Sequence, residues 1–460
     1  MSATANLPAR LEKLLGNDRV RASESELREY AIAGRVPAAL LKPRTAHEVA
    51  EIVRLAAAEK LALVCCGSRS KLQLGMPLRR YDLALDMTGL HEIAHYDPGD
   101  LTLSVDAGIT LRELAKALAA KNQFLPLAVP YHGTSTIGGS IASGIDSTLR
   151  QLYGTPRDFL IGAEFVDGQG QLCRSGGRVV KNVTGYDLHK LLIGSLGTLA
   201  AITRLNFRTF PLPQLRGGHI STFAAPESAF AFRAALVESG LPFSNLELFD
   251  PGISTLLAEY LKKTGLSLPE SFNSARWSVY AAFEGNEVVA QRIQRELQKQ
   301  SKNAHAERSE TLNDQTLMRI DDALREAFAW LRQSAPEVAL LRIVLPRFSP
   351  ADAPEFLQLS NQTPTRAAFL LRAGGVAYLA LLGESESETA KETLQRAVSQ
   401  LFSCANEKNG SATLLHAPDW LKAQVNVWGA TRADFPLMQR VKRSLDPQNI
   451  FAPGRFVGGL

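Results

Sequence analysis

The chain has 460 residues, of which 45% are hydrophobic and 21% are charged, and its net charge is +5. This is the composition of an ordinary globular protein with two or three domains. Basic and acidic residues are interspersed, so we expect no nucleic-acid partner. Residues 1–30 lack an apolar core, and nowhere does an uncharged apolar run approach about 18 residues. We therefore expect a cytoplasmic chain without a secretory signal or a transmembrane segment, and any association with the inner membrane would come through partners.

The first half of the chain predicts capped helices alternating with strands. Residues 45–48 form a capping box before apolar residues at helical spacing, and the apolar strand Leu61–Cys66 comes next. Leu101–Asp106 alternates as a half-buried strand does, and a second capping box at 110–113 begins another helix. Such strand–turn–helix units indicate an α+β fold.

The second half also alternates strands and amphipathic helices. Phe210–Pro213 marks a boundary, because proline stops both helices and central strands. The order that follows is similar to two rounds of a ferredoxin-like α+β unit, although order alone does not fix the topology. The predicted strands are Leu246–Phe249, Trp277–Phe283, Leu340–Leu345, Ala367–Leu371 and Val376–Leu382, and the predicted helices are Glu287–Gln300 and Glu386–Phe402.

Glycines are concentrated in the first half, where 18 of the 34 lie between Gly67 and Gly197 and alternate with hydroxyl side chains. Glycine lets the backbone approach a bulky ligand, and free amides with Ser or Thr hydroxyls bind phosphate oxygens. There is no GxxxxGK[ST], GxSxG or HExxH motif, and the run from Gly168 fails the Rossmann fingerprint at its third glycine. The residues alone leave two interpretations open, another phosphate-binding arrangement or simple tight turns.

Short motifs in a fixed order decide between these interpretations. They lie at 42–49, 67–71, 97–108, 136–144, 153–158, 185–203 and 445–455. Together they resemble the FAD-binding domain of the vanillyl-alcohol oxidase superfamily, also called the PCMH-type FAD-binding domain. Within that superfamily, the GSRSK form of 67–71 and the segment 178–188 are similar to the FAD-binding E subunits of bacterial glycolate oxidases.

This resemblance implies a domain order. A PCMH-type FAD-binding domain of two α+β subdomains is followed by a ferredoxin-like α+β cap domain and a C-terminal segment that returns to the FAD domain. The implied boundaries are an N-terminal helical segment over 1–30, the FAD-binding domain over 31–212, the cap domain over 213–425 and the C-terminal segment over 426–460.

The resemblance also implies FAD, bound without a covalent link, and a set of residues that hold it. Backbone amides and hydroxyls from two glycine-rich loops are expected to bind the pyrophosphate and ribose, with further contacts near the flavin or adenine. The implied FAD-binding residues are Gly67, Ser68, Arg69, Ser70, Lys71, Ser135, Thr136, Gly138, Gly139, Ser140, Ser143, Gly144, Tyr153, Gly197 and Ile202.

Several side chains have two interpretations. Arg69 and Lys71 either add charge at the cofactor or are solvated loop cations. His132 is the candidate for covalent flavin attachment, but we favour a loop histidine bonded to backbone. For the following residues we favour structural roles over chemistry: Cys65, Cys66, Glu284, Asn426, Arg342, Arg347 and Arg372.

Catalytic residues are not identified by the sequence. Related 2-hydroxy-acid dehydrogenases carry a His-x-His pair in the second domain, whereas the histidines after residue 213 are the isolated His219, His305 and His416. Leu196 stands where many relatives carry Glu. We predict an accessory or electron-transferring FAD subunit of a complex that oxidises glycolate to glyoxylate. Its partners would be a homologous FAD-containing catalytic subunit and an iron–sulfur subunit. A self-sufficient 2-hydroxy-acid dehydrogenase, lactate-type for example, and a non-catalytic structural subunit stay open.

Overall fold

The computed structural model describes residues 7–178, 185–265, 276–335, 337–361, 365–372, 375–383 and 385–460. Helices and strands both occur along the chain, which confirms the predicted α+β class. Within these residues the strands form sheets of four, five and eight strands and a small two-stranded pair. The first two sheets lie in the glycine-rich half of the chain, and the largest lies after it.

The four-stranded sheet has the order β1-β2-β4-β3, with β2, β4 and β3 parallel. Its elements are α1 (Leu7–Leu15), β1 (Val20–Arg21), α2 (Glu24–Arg28), β2 (Ala39–Leu41), α3 (Ala46–Glu59), β3 (Leu63–Cys66) and β4 (Leu83–Asp86). Helix α3 begins where the sequence predicts, because the Thr45 hydroxyl accepts a hydrogen bond from the amide of Glu48. The Glu48 carboxylate accepts a hydrogen bond from the amide of Arg44 and not from that of Thr45.

The five-stranded sheet is antiparallel and has the order β5-β6-β10-β8-β9. The elements of this region are β5 (Ile93–Asp97), β6 (Thr102–Asp106), α4 (Leu111–Ala119), β7 (Gln123–Phe124), α5 (Ile137–Ser143), α6 (Arg150–Tyr153), α7 (Pro156–Phe159), β8 (Leu160–Val166), β9 (Leu172–Gly176), β10 (Ala201–Arg208) and β11 (Phe210–Pro211). Thr110 and Glu113 form the predicted reciprocal capping box at α4.

The eight-stranded sheet has the order β15-β12-β14-β13-β17-β18-β16-β19. Its elements are β12 (Leu215–Phe223), α8 (Pro226–Glu238), β13 (Phe243–Phe249), α9 (Pro251–Lys263), β14 (Trp277–Gly285), α10 (Glu287–Asn303), β15 (Arg308–Leu312), α11 (Asp314–Arg325), α12 (Ala327–Leu331), β16 (Glu337–Val344), α13 (Asp352–Asn361), β17 (Thr365–Arg372), β18 (Val376–Gly383), α14 (Glu388–Glu407) and β19 (Ser411–His416). The strand order is that of two βαββαβ units joined edge to edge through β13 and β17. The ferredoxin-like pattern in the sequence is thus present twice.

The end of the chain, with α15 (Asp419–Gln424) and α16 (Phe435–Leu445), returns to the four-stranded sheet. The amide of Leu63 donates to the carbonyl of Ile450 at 2.7 Å, and the amide of Ala452 donates to the carbonyl of Leu63 at 2.8 Å. These bonds place residues 450–452 beside β3, which ends at the first glycine-rich loop. The C-terminal segment therefore helps to build the region that the sequence assigns to FAD.

The predicted elements differ from the structure mainly at their ends. The strand expected from Leu61 begins at Leu63, and the strand expected from Leu101 begins at Thr102. Leu101 has a φ of 53°, which is left-handed backbone that an extended strand does not contain. Of the segment 178–188, residues 179–184 lie outside the described residues.

Candidate FAD site

One cavity in the glycine-rich half gathers most of the residues that the sequence assigned to FAD. It has an empty volume of about 720 Å³ and lies where the loop after β3, helix α5 and the segment before β10 meet. The predicted residues that line it are Gly67, Ser68, Arg69, Ser70, Lys71, Thr136, Gly138, Gly139, Ser143, Gly197 and Ile202. Motifs up to 135 residues apart in the sequence are thus brought to one place.

Close approach between the loops explains two of these glycines. A Cβ on Gly67 would lie 2.1 Å from Oγ1 of Thr136, and a Cβ on Gly138 would lie 2.7 Å from that of Ala107. The amide of Gly138 donates to the carbonyl of Ala107 at 2.8 Å, which docks α5 on the turn after β6. Both glycines are therefore required by packing, whatever the cavity holds.

Helix α5 is also tied to the loop before β10. The amides of Gly194 and Leu196 donate to the carbonyls of Ile141 and Ala142, at 2.9 and 2.8 Å. Leu196 lines the cavity with a φ of 52°, and Arg69 on the opposite loop has a φ of 66°. Non-glycine residues in this region cost roughly 1 kcal/mol or more, and they concentrate at ligand sites.

The first loop is rich in unused hydrogen-bond donors. Among the described residues, the backbone amides of Ser68 to Lys71 take part in no hydrogen bond. The hydroxyls of Ser68 and Ser70 are 3.4 Å apart, and Ser70 is 3.2 Å from the hydroxyl of Ser135. Amides and hydroxyls arranged in this way suit an anionic ligand such as a pyrophosphate.

Lys71 is the cation at the centre of this cluster. Its ammonium group donates to the hydroxyl of Ser135 at 2.5 Å and to that of Ser70 at 3.3 Å, and it lies 5.7 Å from the ring centre of Tyr131. Burial lowers the pKa of Lys71 to about 8, although Glu326 opposes the shift. Lys71 is therefore enclosed at the cavity and is not a solvated loop cation.

Arg69, in contrast, has its guanidinium group engaged by the N-terminal segment. It donates to the hydroxyl of Tyr30 at 2.9 Å, stacks over that ring at 4.6 Å and pairs with Glu29 at 3.0 Å. Arg69 lines the cavity, but its charge is already paired with Glu29. Lys71 makes no ion pair among the described residues, so its charge is more readily available to an anionic ligand.

Arg455, which the sequence analysis did not assign to the site, lines the cavity from the C-terminal segment. It is 3% exposed, and it donates to the carbonyls of Leu72 and Leu74 at 2.5 and 3.0 Å. Burial lowers the pKa of Arg455 to about 10, so the side chain remains a cation at neutral pH. In the sequence, Arg455 is the last residue of the motif 445–455, and that motif was the signal that could have assigned it to the site.

Other lining residues were also missed, and most are apolar or sulfur-containing. Cys65 and Cys66 line the cavity, and burial raises the pKa of the Cys65 thiol to about 12, so it is no thiolate. Both are free thiols. The remaining lining residues are Leu72, Met87, Ala107, Ala142, Leu196 and Ala200. Single apolar residues in strands carry no signal of this kind, because they are equally typical of a core.

Four predicted residues lie outside the lining. Ser135 stands behind it and holds Lys71, and Ser140 is buried with its hydroxyl donating to the carbonyl of Thr136. Gly144 ends α5 with a φ of 61°. The phenol of Tyr153 donates to Glu284 at 2.5 Å, and its ring packs against Phe124 and Phe210. Contact between FAD and these four residues is a prediction, and so is contact between FAD and the lining residues.

The histidines and the other polar candidates for chemistry lie away from the cavity lining. His132 lines a different groove, between α4 and α11, and its amide donates to Glu326 at 3.2 Å. Asn426 caps the amide of Trp428, and Glu284 pairs with Arg216 at 3.3 Å. His219 is buried among serine hydroxyls. In the part of the chain that the structure describes, no three His, Cys, Asp or Glu side chains form a metal-binding group.

The donors that line the cavity fit FAD. The free amides of 68–71, the hydroxyls of Ser68, Thr136 and Ser143, and the cations Lys71 and Arg455 offer donors and positive charge to a dinucleotide. The same residues would hold it without a Rossmann turn. None of the described helices is both long and apolar enough to cross a membrane.

Comparison with known proteins agrees with this architecture. Residues 37–176 match the model of an FAD binding domain, and residues 219–456 match the model of FAD linked oxidases, C-terminal domain. FAD is therefore the cofactor of this chain.

Two relatives and one structure are informative. Glycolate oxidase subunit GlcD of Bacillus subtilis is 24% identical over 91% of this chain and 89% of its own length. Glycolate oxidase subunit GlcE of Escherichia coli is 37% identical over 36% of this chain and 47% of its own length. The crystal structure of p-cresol methylhydroxylase with substrate bound shares the fold, with a TM-score of 0.80, 16% identity, and coverage of 99% of this chain and 97% of that one. The chain belongs to the FAD-linked oxidases, with an FAD-binding domain and the C-terminal domain of that family.

Proposed function

We propose that the chain is an FAD-binding subunit of a complex that oxidises glycolate to glyoxylate, and that it transfers electrons or supports assembly. The similarity to two glycolate oxidase subunits supports the choice of complex. The partners would be a homologous FAD-containing catalytic subunit and an iron–sulfur subunit. The site residues are those that line the cavity, with Lys71 and Arg455 supplying positive charge.

The observation that carries the accessory role is the chemistry of the cavity wall. Among the described residues that line it, there is no His, Asp or Glu. Oxidation of a 2-hydroxy acid by a flavin requires a base for the hydroxyl proton. A chain that binds FAD without such a base in its cavity is suited to pass electrons to or from another centre.

One residue favours a second candidate, a self-sufficient 2-hydroxy-acid dehydrogenase. Lys71 has a pKa of about 8 and a hydroxyl partner in Ser135. A lysine that is partly neutral near pH 7–8 can act as a base. In this alternative Lys71 would face the substrate and not the phosphates of FAD, and it would take the hydroxyl proton of a 2-hydroxy acid that enters beside the flavin.

Anaerobic flavin reduction separates the two candidates. The FAD-loaded chain is mixed with glycolate, first alone and then co-purified with its co-expressed partners, and the flavin absorbance is followed. We expect bleaching in the assembly and none in the isolated chain. Bleaching of the isolated chain that is lost in Lys71→Met at equal flavin content would establish the dehydrogenase alternative and contradict the accessory role. D-Lactate added in the same way tests for a wider substrate range.

A further inference from the structure

One face of the five-stranded antiparallel sheet is polar, and a second cavity opens on it. The residues that form one row across this sheet, in direct cross-strand register from β5 to β9, are His95, Ser104, Asn206, Gly162 and Gly176. Paired residues point to the same side of a sheet, so this row shares one face. The opposite face packs into the apolar core of the domain.

Gly162 lets the chain after β9 close over this row. A Cβ on Gly162 would lie 2.8 Å from the amide nitrogen of Gly177 and 2.9 Å from Nδ2 of Asn206. Gly177 lines the cavity, and the next residue, Arg178, lines it too. The glycine therefore allows the backbone of residues 177 and 178 and the amide of Asn206 to come close together.

Two polar side chains at the floor of this cavity have no partner. Ser104 and Asn206 line it, and each is only 6% exposed. Among the described residues, neither side chain takes part in a hydrogen bond. A polar sheet face that is simply open to water would be well exposed, whereas these two groups are enclosed. Because buried polar side chains are nearly always hydrogen-bonded, a free amide and a free hydroxyl beside a cavity point to a ligand.

Positive charge surrounds this floor. One carboxylate, Glu164, lines the cavity together with three arginines, which are Arg174, Arg178 and Arg204. Arg174 pairs with Glu164 at 2.8 Å, and Arg204 pairs with Asp106 at 2.8 Å. In the part of the chain that the structure describes, Arg178 has neither an ion pair nor a hydrogen bond. Its guanidinium group is thus left for an anion, and such a group suits an oxyanion that accepts two N–H bonds.

The arrangement of these donors favours a tetrahedral anion over a planar one. Ser104 lies on β6, Asn206 lies on β10, and Arg178 follows β9, so the donors come from separate strands around one space. A phosphate group has oxygens in several directions and can accept from all three, whereas a carboxylate has two oxygens in one plane.

We propose that Ser104, Asn206 and Arg178 bind a phosphate group, either free phosphate or the phosphate of a small monoester. The amide of Asn206 and the hydroxyl of Ser104 donate to its oxygens from the floor, and Arg178 pairs with it from the rim. This cavity shares no lining residue with the FAD cavity, so the site is distinct from that of the cofactor. It does not depend on the proposed function.

Calorimetric titration of the FAD-loaded chain with inorganic phosphate tests this site, because bound FAD occupies the other phosphate-binding loops. We expect saturable binding with a Kd of about 1 mM or below, and acetate should bind at least about tenfold more weakly. Asn206→Asp places a negative charge on the floor at nearly constant shape and should abolish phosphate binding. Arg178→Met should weaken it about tenfold, whereas Arg443→Met, which removes an exposed arginine of α16, should leave it unchanged.

Flavin content and thermal midpoint establish that each variant is folded, and Ser104→Ala, which should weaken binding severalfold, is the second floor variant if Asn206→Asp does not fold. Glycerol 3-phosphate, titrated in the same way, distinguishes the two sources of the group. Tighter binding than that of inorganic phosphate identifies a phosphorylated metabolite, and equal binding identifies the phosphate group alone. The proposal is overturned if neither probe gives saturable binding, if acetate binds equally well, or if Arg178→Met and the floor variant bind phosphate like the unsubstituted chain.

Discussion

At the scale of single residues, Lys71 decides how the cavity responds to pH. Its ammonium group is enclosed, and two serine hydroxyls hold it at the cavity. Burial holds its pKa at about 8, well below the usual value for lysine. An anionic cofactor stabilises the protonated form, so protonation of Lys71 and binding of FAD favour each other.

FAD affinity should therefore depend on pH with a fixed sign. Below pH 8 Lys71 is charged before FAD binds, and affinity is constant. As pH rises through 8, the empty site loses its charge and FAD affinity falls. Lys71→Met should weaken FAD binding by about ten- to a hundredfold below pH 8 and remove this decline. Fluorescence titration of the apo chain with FAD between pH 6.5 and 9.5 measures both effects, and Lys116→Met is the matched control on α4. If the pH dependence of FAD affinity were the same in Lys71→Met and the unsubstituted chain, Lys71 would not interact with the cofactor.

Adjacent glycines of α5 should respond differently to substitution. A Cβ on Gly138 would lie 2.8 Å from the backbone carbonyl oxygen of Ala107, whereas a Cβ on Gly139 would lie 2.9 Å from Oγ1 of Thr136, a side-chain atom that shifts more easily than backbone. We expect Gly139→Val to abolish FAD binding with the fold kept, because the side chain occludes the cofactor. Gly138→Val should lower the thermal midpoint by several degrees, because it undocks α5. Circular dichroism and flavin content distinguish the two, and stoichiometric FAD in Gly139→Val would refute the assignment of this loop.

At the scale of elements, capping and periodicity predicted four of the helices and seven of the strands. Thr45 and Thr110 start their helices as the sequence indicates, and five strands of the large sheet lie where apolar runs predict them, whereas β12, β15 and β19 were not predicted. The two glycine-rich loops were also identified, because free amides and hydroxyls leave a compositional signal. Arg455 was not assigned to the site, because its role depends on a chain reversal that brings residue 452 beside β3. Long-range pairing of this kind is not encoded in local pattern.

The packing of β12 against α10 and β15 predicts acid sensitivity of the large sheet. His219 is buried, and its Nε2 lies within 3.2 Å of the hydroxyls of Ser221, Ser301 and Ser309. Burial lowers the pKa of His219 to about 4, whereas the unfolded chain titrates near about 6.5. The unfolded state binds more protons between these values, so stability is full above pH 6.5 and falls by about 3 kcal/mol as pH drops to 4.

His219→Gln tests this linkage. The variant should be less stable at pH 7.5, but its thermal midpoint should fall less between pH 7.5 and 4.5 than that of the unsubstituted chain. Burial also lowers the pKa of His416, so part of the decline in thermal midpoint should remain. His305→Gln, at an exposed position, provides the control. Parallel curves for His219→Gln and the unsubstituted chain would contradict the account.

At the scale of the whole molecule, the C-terminal segment holds the FAD domain together. The ammonium group of Lys442 pairs with Asp446 at 2.6 Å and donates to the carbonyls of Thr198 and Phe451 at 2.7 and 3.1 Å. Asp446 in turn accepts from the amides of Ile450 and Phe451. One buried ion pair thus joins α16, the segment before β10 and the strand-like return beside β3.

Removing one member of this pair should destabilise the fold and weaken FAD binding, although neither residue lines the cavity. Lys442→Met leaves a buried carboxylate and two carbonyls without their donor, which should cost about 3–5 kcal/mol. We expect a lower thermal midpoint and faster loss of FAD on dilution. Arg443→Met, on the exposed side of the same helix, should behave like the unsubstituted chain. Equal stability of the two variants would show that the C-terminal return does not support the site.

The cofactor content of the purified chain tests the central claim most directly. We predict a flavin absorbance spectrum and release of about one FAD per chain on denaturation, because a single cavity gathers the glycine loops, Lys71 and Arg455. The released flavin should leave no covalent adduct on the protein. A chain that is folded by circular dichroism yet stays colourless after incubation with FAD would contradict the account.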